Sequence, residues 1–162
     1  MLKDRGGEHP FGDAGQLGGF LLFFSVWIAD SFFLRKSTFL AGRVPLAPRL
    51  IFLAAALAVA VQLIRKSHIY ITHGKRTEHV LDQGAFRWVR HPLYLGGILT
   101  FLGLAVSTAS LLALGAWVLL VAFYGYITRF EERFLEELFG DSYRDYKART
   151  GKWIPRPGRD RR

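Results

Sequence analysis

The chain has 162 residues, a formal net charge of +9 and a mean hydropathy of +0.18. Hydrophobic residues make up 51% of it, and they are collected into long runs with the charged residues between the runs. This layout is typical of a membrane protein. It argues against a nucleic-acid-binding protein, whose basic residues would line a polar element. The sequence contains no cysteine. This excludes a disulfide framework, a thiolate metal site and a cysteine nucleophile.

Composition divides the chain into three parts: an N-terminal tail (1–16), two transmembrane helices (17–66) and a C-terminal core (67–162). The tail is polar and glycine-rich, and the apolar run after it lacks a small-residue cleavage motif, so we do not expect a removable signal peptide. The apolar runs at 17–34 and 50–64 are the two expected membrane spans of the second part, with a basic loop at 35–49 between them.

Asp30 lies inside the first apolar run, where a carboxylate costs energy unless it is paired or close to the membrane surface. Two interpretations stay open at this point. The side chain lies near the membrane surface close to Arg35, or it contacts a ligand or a neighbouring helix.

A second apolar block at 93–128 is too long for one span and is broken at Ser107-Thr108-Ala109-Ser110. We interpret it as two antiparallel helices joined by a tight turn. Small residues on the first helix, at Gly96, Gly97 and Gly103, would allow close contact with a neighbour.

Beyond the block, apolar residues recur with helical spacing over 129–139, which predicts an amphipathic helix ended by Gly140. A further short helix is predicted from Asp141 onward. The expected fold is therefore all-α: an integral membrane helical bundle of about four transmembrane helices including a hairpin, plus a cytosolic C-terminal amphipathic helix.

The distribution of basic residues predicts the orientation of this bundle. With four spans, one side of the membrane holds the segments 1–16, 65–92 and 129–162, which contain 2, 6 and 10 Lys and Arg, or 18 in total. The other side holds the 35–49 loop with 4. The positive-inside rule then places both termini and the 65–92 segment in the cytoplasm.

The stretch from Gly84 to Gly97 opens the hairpin with a cluster of polar residues. Pro92 fits the first turn of a helix, where its missing N–H costs nothing, so His91 is predicted to be the N-cap. The first-turn N–H groups and the positive end of the helix dipole would then face whatever lies beside Arg90 and His91. Such a position suits a carboxylate or another anion.

The two outer ends of a hairpin lie at the same membrane face, so polar residues from both ends are expected to form one cluster. Its expected members are Arg90, His91, Tyr94, Arg129, Glu131 and Glu132. Charges next to an apolar environment persist when they are paired or bound to a ligand. The alternative is that the basic and tyrosine residues are interface anchors, and that the two glutamates lie on a solvated helix face.

The residues of this hairpin also carry a family resemblance. The stretch Gly84-Ala-Phe-Arg-Trp-Val-Arg-His-Pro-Leu-Tyr-Leu-Gly96 is followed by the hairpin and then by Glu131-Glu132, Phe139-Gly140, Tyr143 and Tyr146. This pattern resembles the isoprenylcysteine carboxyl methyltransferase and phospholipid methyltransferase family of integral membrane enzymes. The resemblance covers roughly residues 77–155.

The resemblance implies that S-adenosylmethionine binds on the cytosolic side. By position, the implied cofactor-binding residues are Glu78, His79, Val80, Leu81, Phe86, His91, Pro92, Leu93, Tyr94, Glu131 and Glu132. We assign Glu131 to the amino group or ribose of the cofactor and Arg129 to an anionic substrate, and these two are the expected catalytic residues. Tyr94 is expected to pack against the cofactor, and Tyr143 and Tyr146 to be packing or interface residues.

Three positions depart from the family pattern. Many relatives have histidine in place of Glu78 and tyrosine in place of Phe86. The eukaryotic carboxyl methyltransferases have an arginine in place of Ile127.

His68, His73 and His79 match no standard metal-ligand spacing, so no metal site is expected.

The expected function is methyl transfer to a lipophilic or lipid-tethered acceptor, with an isoprenylcysteine-type carboxylate as the first choice. Its partners would be that lipophilic substrate and the membrane lipids, and not nucleic acid. Two alternatives stay open: a phosphatidylethanolamine N-methyltransferase, and a non-catalytic membrane scaffold that has lost its substrate site.

Overall fold

A computed structural model describes residues 12–73 and 80–156, and the side chains of 14–67 and 80–156. These residues fold into a helical bundle, which confirms the all-α prediction. The α-helices are α1 (Gly12–Ile28), α2 (Leu46–His73), α3 (Pro92–Thr108), α4 (Leu111–Phe139) and α5 (Asp141–Arg149). Among the described residues, three segments are long and apolar enough to cross a membrane, namely Ala14–Leu34, Leu46–Ser67 and Leu111–Phe139.

The first predicted span is helical as expected, and it ends in a π-helical turn, Ala29–Leu34. Asp30 lies in this turn and is buried. Its carboxylate accepts hydrogen bonds from the Ser37 amide at 3.1 Å, from the Ser37 hydroxyl, and from the Ser110 hydroxyl at 2.6 Å. Asp30 therefore contacts the start of a neighbouring helix, as the second interpretation holds. It also lies beside Arg35, whose amide donates a hydrogen bond to the Asp30 carbonyl at 2.8 Å.

The second helix is longer than the predicted span of 50–64 at both ends. It begins at Leu46 because Pro48 lies in the first turn, where no intrahelical N–H is needed. It continues to His73 because no glycine or proline interrupts the sequence between residues 49 and 73. Residues 65–73, which lie beyond the predicted span, therefore continue this helix.

Helix α2 packs chiefly against α3. A Cβ atom on Gly96 would lie 3.2 Å from the Ile64 side chain, and one on Gly103 would lie 3.0 Å from Leu53. Both distances are shorter than ordinary van der Waals contact, so these two glycines bring the helices together as predicted. Gly97 has more room, with Tyr124 at 3.8 Å.

The predicted hairpin is confirmed, and its turn lies where the sequence placed it. Ala109 ends α3 in the left-handed region with φ of 54°, and the Ser110 hydroxyl caps α4 by accepting a hydrogen bond from the Ala113 amide at 3.0 Å. At about 1.5 Å per residue, the 17 residues of α3 reach about 26 Å and the 29 residues of α4 about 44 Å. The hydrocarbon core is about 30 Å thick. The amphipathic segment 129–139 is therefore the projecting end of α4.

The core of the bundle lies where α1 meets the hairpin. Its buried residues are Phe23, Ile98, Phe101, Ala105, Ala113, Ala116, Leu120 and Tyr124. At one end of the bundle, α3 begins, α4 projects and α5 follows after Gly140, which has φ of 56° and ends α4 as predicted. We call this the site end.

Candidate functional site

The segment before α3 pairs with the segment after α5. Val89 and Gly151 form an isolated parallel bridge. The Arg90 amide donates a hydrogen bond to the Gly151 carbonyl at 2.9 Å, and the His91 amide donates one to the Lys152 carbonyl at 3.3 Å. The chain after α5 therefore determines where Arg90 and His91 lie. This pairing was not predicted from the sequence.

Glu132 is the centre of a buried ionic network. Its Oε1 atom lies 3.0 Å from Arg90 Nε, 3.1 Å from His91 Nε2 and 3.8 Å from Lys152 Nζ, and its Oε2 atom lies 3.5 Å from Lys147 Nζ. The Glu132 side chain is 6% exposed. A buried carboxylate is tolerated when it is paired in this way. The alternative that Glu132 lies on a solvated helix face is wrong.

Arg90 extends this network to the main chain around the end of α5. Its guanidinium donates hydrogen bonds to the carbonyl oxygens of Lys147, at 3.1 Å, and Thr150. Nearby, the Tyr146 hydroxyl donates to the Phe86 carbonyl at 2.7 Å. The site end is thus held together by hydrogen bonds between residues about 40 to 60 positions apart in the chain.

Two tyrosines of α5 pack beneath this network. Tyr143 and Tyr146 are both buried, with ring centroids 5.8 Å apart, which agrees with their predicted packing role. Burial raises the pKa of each phenol well above the ordinary tyrosine value, so both hydroxyl groups stay protonated. They act as packing groups and neutral hydrogen-bond donors.

Glu131, the neighbour of Glu132 on α4, is in a more open environment. Its side chain is 23% exposed. Its Oε1 atom accepts a hydrogen bond from the Tyr94 hydroxyl at 2.5 Å, and its Oε2 atom lies 3.6 Å from His91 Nδ1. The imidazole of His91 therefore lies between the two glutamates, with one ring nitrogen facing each of them.

The start of α3 completes this group of residues. Pro92 is the first helical residue and His91 is the N-cap, as predicted, but the His91 side chain makes no capping hydrogen bond. Its ring contacts the glutamates of α4 instead. The first turn of a helix has N–H groups without intrahelical partners and a partial positive charge. An anion beside this turn would be stabilised.

The other predicted cofactor residues are distributed around this group. Glu78 and His79 lie outside the described residues. Val80 and Leu81 are half-buried and precede the 3-10 turn Gly84–Arg87, which contains the half-buried Phe86. Leu93 is 41% exposed.

The sequence predicted that Arg129 belongs to the cluster, but in the structure its side chain lies outside it. It is exposed and makes no hydrogen bond or ion pair with another described residue. Residues 129 and 131 are separated by about 200° around an α-helix, which keeps Arg129 away from Glu131. Glu132, about 60° from Arg129 around the helix, is paired with Arg90 and His91 instead.

Two cations that the sequence did not predict reach Glu132 instead. They are Lys147, at 3.5 Å, and Lys152, at 3.8 Å, whose Nζ also donates a hydrogen bond to the Thr128 hydroxyl at 3.1 Å. In the sequence, Lys152 was part of a basic tail without a distinguishing motif.

The chain is similar in sequence to several known proteins. A sequence model described as phospholipid methyltransferase matches residues 46–142, which are 97 of the 162 residues. Methanethiol S-methyltransferase 1 of Bradyrhizobium diazoefficiens is 44% identical over 70 residues, covering 43% of this chain and 24% of that protein. Protein-S-isoprenylcysteine O-methyltransferase of Saccharomyces cerevisiae is 35% identical over 91 residues, covering 55% of this chain and 38% of that protein.

A third relative, methanethiol S-methyltransferase of Mycobacterium tuberculosis, is 42% identical over 79 residues, covering 46% of this chain and 30% of that protein. The chain therefore spans less than two fifths of the length of each of these three relatives. No solved structure matches the chain.

Proposed function

Because the chain belongs to the phospholipid methyltransferase family, we propose that it is a membrane methyltransferase. Its methyl donor is S-adenosylmethionine, and its acceptor is a lipophilic or lipid-tethered molecule. The observation that carries the proposal is the direct contact of His91 and Tyr94, at the start of α3, with Glu131 on α4. This contact joins the two halves of the family motif into one site.

The polar groups of this site fit the parts of the proposed donor. An amino-acid carboxylate suits the first turn of α3, where N–H groups are not capped by the His91 side chain. The Glu131 carboxylate is partly exposed, so it can accept hydrogen bonds from an amino group or from ribose hydroxyls. When bound, the donor supplies a methyl group that is already electrophilic because it is attached to a sulfonium.

The buried network of Glu132 has a different role in this proposal. It holds Arg90 and His91 against α4 and keeps the segment after α5 in place. Glu132 is therefore a positioning residue, and Glu131 is the glutamate that contacts the donor. The work of the protein is alignment of donor and acceptor and exclusion of water, for which a rigidly held site is required.

A lipophilic acceptor can approach this end of the bundle from the bilayer. A groove of about 290 Å³ lies between α2 and the segment before α3. Its lining residues are Ala58, Val59, Gln62, Leu63, Lys66, Ala85 and Trp88. An apolar tail lying in this groove would be on the α2 side of the segment that carries Arg90 and His91. The basic residues at this end support a cytoplasmic orientation for the site.

The names of the relatives favour two classes of acceptor. One class is a thiol or a prenylcysteine carboxylate, as in the methanethiol and isoprenylcysteine methyltransferases. The other is the amine of a phospholipid, which the family description favours. An isoprenylcysteine-type carboxylate is our first candidate, and phosphatidylethanolamine is the second.

Calorimetric binding of S-adenosylhomocysteine to the detergent-purified protein tests the donor site. Glu131→Ala should weaken binding about 10- to 100-fold, as expected for loss of a charge-assisted contact. His91→Ala should also weaken binding, because it removes the imidazole that lies 3.6 Å from the Glu131 carboxylate. Glu137→Ala is the matched control, because Glu137 is an exposed glutamate on the same helix. If the wild-type protein is folded and binds no S-adenosylhomocysteine, the chain is a scaffold. If both site variants bind normally, the donor lies elsewhere.

A further inference from the structure

We infer that the ammonium group of Lys152 binds the negatively charged attacking group of the methyl acceptor, a thiolate or a carboxylate. This inference rests on the proposed methyl transfer and adds to it the charge of the acceptor. It also moves the acceptor-binding cation from Arg129, where the sequence had placed it, to a residue that follows α5.

The main chain fixes Lys152 next to the donor site. Its carbonyl oxygen accepts a hydrogen bond from the His91 amide at 3.3 Å, and the preceding residue, Gly151, pairs with Val89 and Arg90. The Lys152 side chain is 25% exposed. Its ammonium group is therefore held at the edge of the cluster, whereas most surface lysines extend into solvent.

Among the cations around Glu132, Lys152 lies farthest from a carboxylate partner. The carboxylate of Glu132 is closer to Arg90, at 3.0 Å, than to Lys152, at 3.8 Å. Lys147 has a carboxylate of its own, because its Nζ lies 2.5 Å from Glu136. Among the described residues, Lys152 Nζ donates a hydrogen bond to the Thr128 hydroxyl, whereas an ammonium group has three donors. Donor capacity is left for a ligand.

The surroundings of Lys152 favour a negative ligand. Burial lowers its pKa; the carboxylate of Glu132 opposes this change, while the positive charges of Arg90 and Arg129 add to it. A partly buried cation with neighbouring cations is stabilised by an anion that lies beside it. The amine of a phospholipid attacks a methyl group in its neutral form, which carries no negative charge for Lys152 to bind. This part of the site therefore selects a thiolate or carboxylate over the amine of a phospholipid.

For a carboxylate, which is already ionised at neutral pH, the chemical step needs no proton transfer, whereas a thiol gives its proton to water before it binds as the thiolate. A lone pair of the S⁻ or O⁻ atom forms a bond to the methyl carbon of the sulfonium donor. The bond between that carbon and the donor sulfur breaks, and its electron pair stays on the sulfur. An anion and a sulfonium cation thus become a neutral methyl thioether or methyl ester and a neutral thioether. Lys152 holds the attacking atom but does not exchange a proton with it.

The test uses the full-length protein in nanodiscs with S-adenosylmethionine and three acceptors: 1-octanethiol, N-acetyl-S-farnesylcysteine and phosphatidylethanolamine. The variants are Lys152→Met, Lys152→Arg and Arg129→Ala. Arg144→Met is the matched control, because Arg144 is 65% exposed on α5 and pairs with a solvent-exposed aspartate. Calorimetry with S-adenosylhomocysteine, and with N-acetyl-S-farnesylcysteine added to that complex, measures binding apart from turnover.

We expect wild-type activity on the thiol or on the carboxylate, and the acceptor that is methylated identifies which of the two is used. Lys152→Met should raise the KM for that acceptor about 10- to 100-fold, the effect expected for a lost charge-assisted hydrogen bond. Its affinity for S-adenosylhomocysteine should stay within about twofold of the wild type, because donor contacts are intact. Lys152→Arg should restore most of the acceptor affinity.

Four results would overturn the inference while leaving the proposed function in place. The first is activity on phosphatidylethanolamine and on neither of the other acceptors, and the second is an unchanged KM in Lys152→Met. The third is a KM that rises in Arg129→Ala but not in Lys152→Met. The fourth is a Lys152→Met variant that loses both donor affinity and thermal stability. A wild-type protein that binds no S-adenosylhomocysteine and methylates none of the acceptors would overturn the proposed function, and this inference with it.

Discussion

Replacement of Arg90 by methionine should destabilise the site end of the bundle. The Arg90 side chain is 6% exposed and donates hydrogen bonds to the Glu132 carboxylate at 3.0 Å and to the carbonyl oxygens of Lys147 and Thr150. Methionine is unbranched and flexible, so it can fill much of the space that the arginine stem occupies. The substitution therefore removes the charge and its hydrogen bonds with little loss of packing.

The size of the effect follows from what remains around Glu132. Removing one partner of a buried ion pair costs about 3–5 kcal/mol. His91 at 3.1 Å and Lys147 at 3.5 Å still face the carboxylate in the variant, so we expect the lower value, about 3 kcal/mol. For a chain of 162 residues, each kcal/mol lowers the melting temperature by about 2–4 °C. The expected decrease is therefore about 6–12 °C.

Thermal unfolding of the detergent-purified protein, followed by tryptophan fluorescence, measures this decrease. Arg144→Met is again the control, because its partner Asp141 is 90% exposed and such surface pairs contribute about 0–1 kcal/mol. A double-mutant cycle of Arg90→Met with Glu132→Gln should give a coupling energy of about 1–3 kcal/mol. The reasoning is refuted if Arg90→Met and Arg144→Met change the melting temperature equally, or if the coupling energy is zero.

Two further substitutions test other parts of the structure. Gly151→Ala should disrupt the pairing before α3, because a Cβ atom there would overlap a main-chain carbonyl oxygen of the tail. Faster hydrogen exchange of the Arg90 and His91 amides would report this disruption. Gly18 has open space around it, so Gly18→Ala should leave that exchange unchanged. Asp30→Ala should lower the free energy of unfolding by about 3 kcal/mol, because one buried and two partly buried hydrogen bonds lose their acceptor. S-adenosylhomocysteine affinity should not change in that variant, since Asp30 lies by the hairpin turn, and a stable variant with lost affinity would contradict this account.

Local patterns in the sequence determined most of the secondary structure. The position of Pro92 predicted the start of α3, the break at 107–110 predicted the hairpin turn, and Gly140 predicted the end of α4. These signals are local because each depends on backbone conformation or hydrogen bonding within one helical turn. The length of α2 was underestimated, because polarity was taken as the end of a helix that no glycine or proline interrupts.

The sequence by itself determined that this protein is a helical membrane bundle and that polar residues from the two outer ends of its hairpin meet. Only the tertiary structure decided which of those residues form the cluster. Adjacent residues on a helix point about 100° apart, so Glu132 is buried and Glu131 is partly open. Arg129 is exposed, and Glu132 pairs with Arg90 instead. Lys152 enters because the chain after α5 pairs with the chain before α3, and a contact between residues 61 positions apart leaves no local pattern in the sequence.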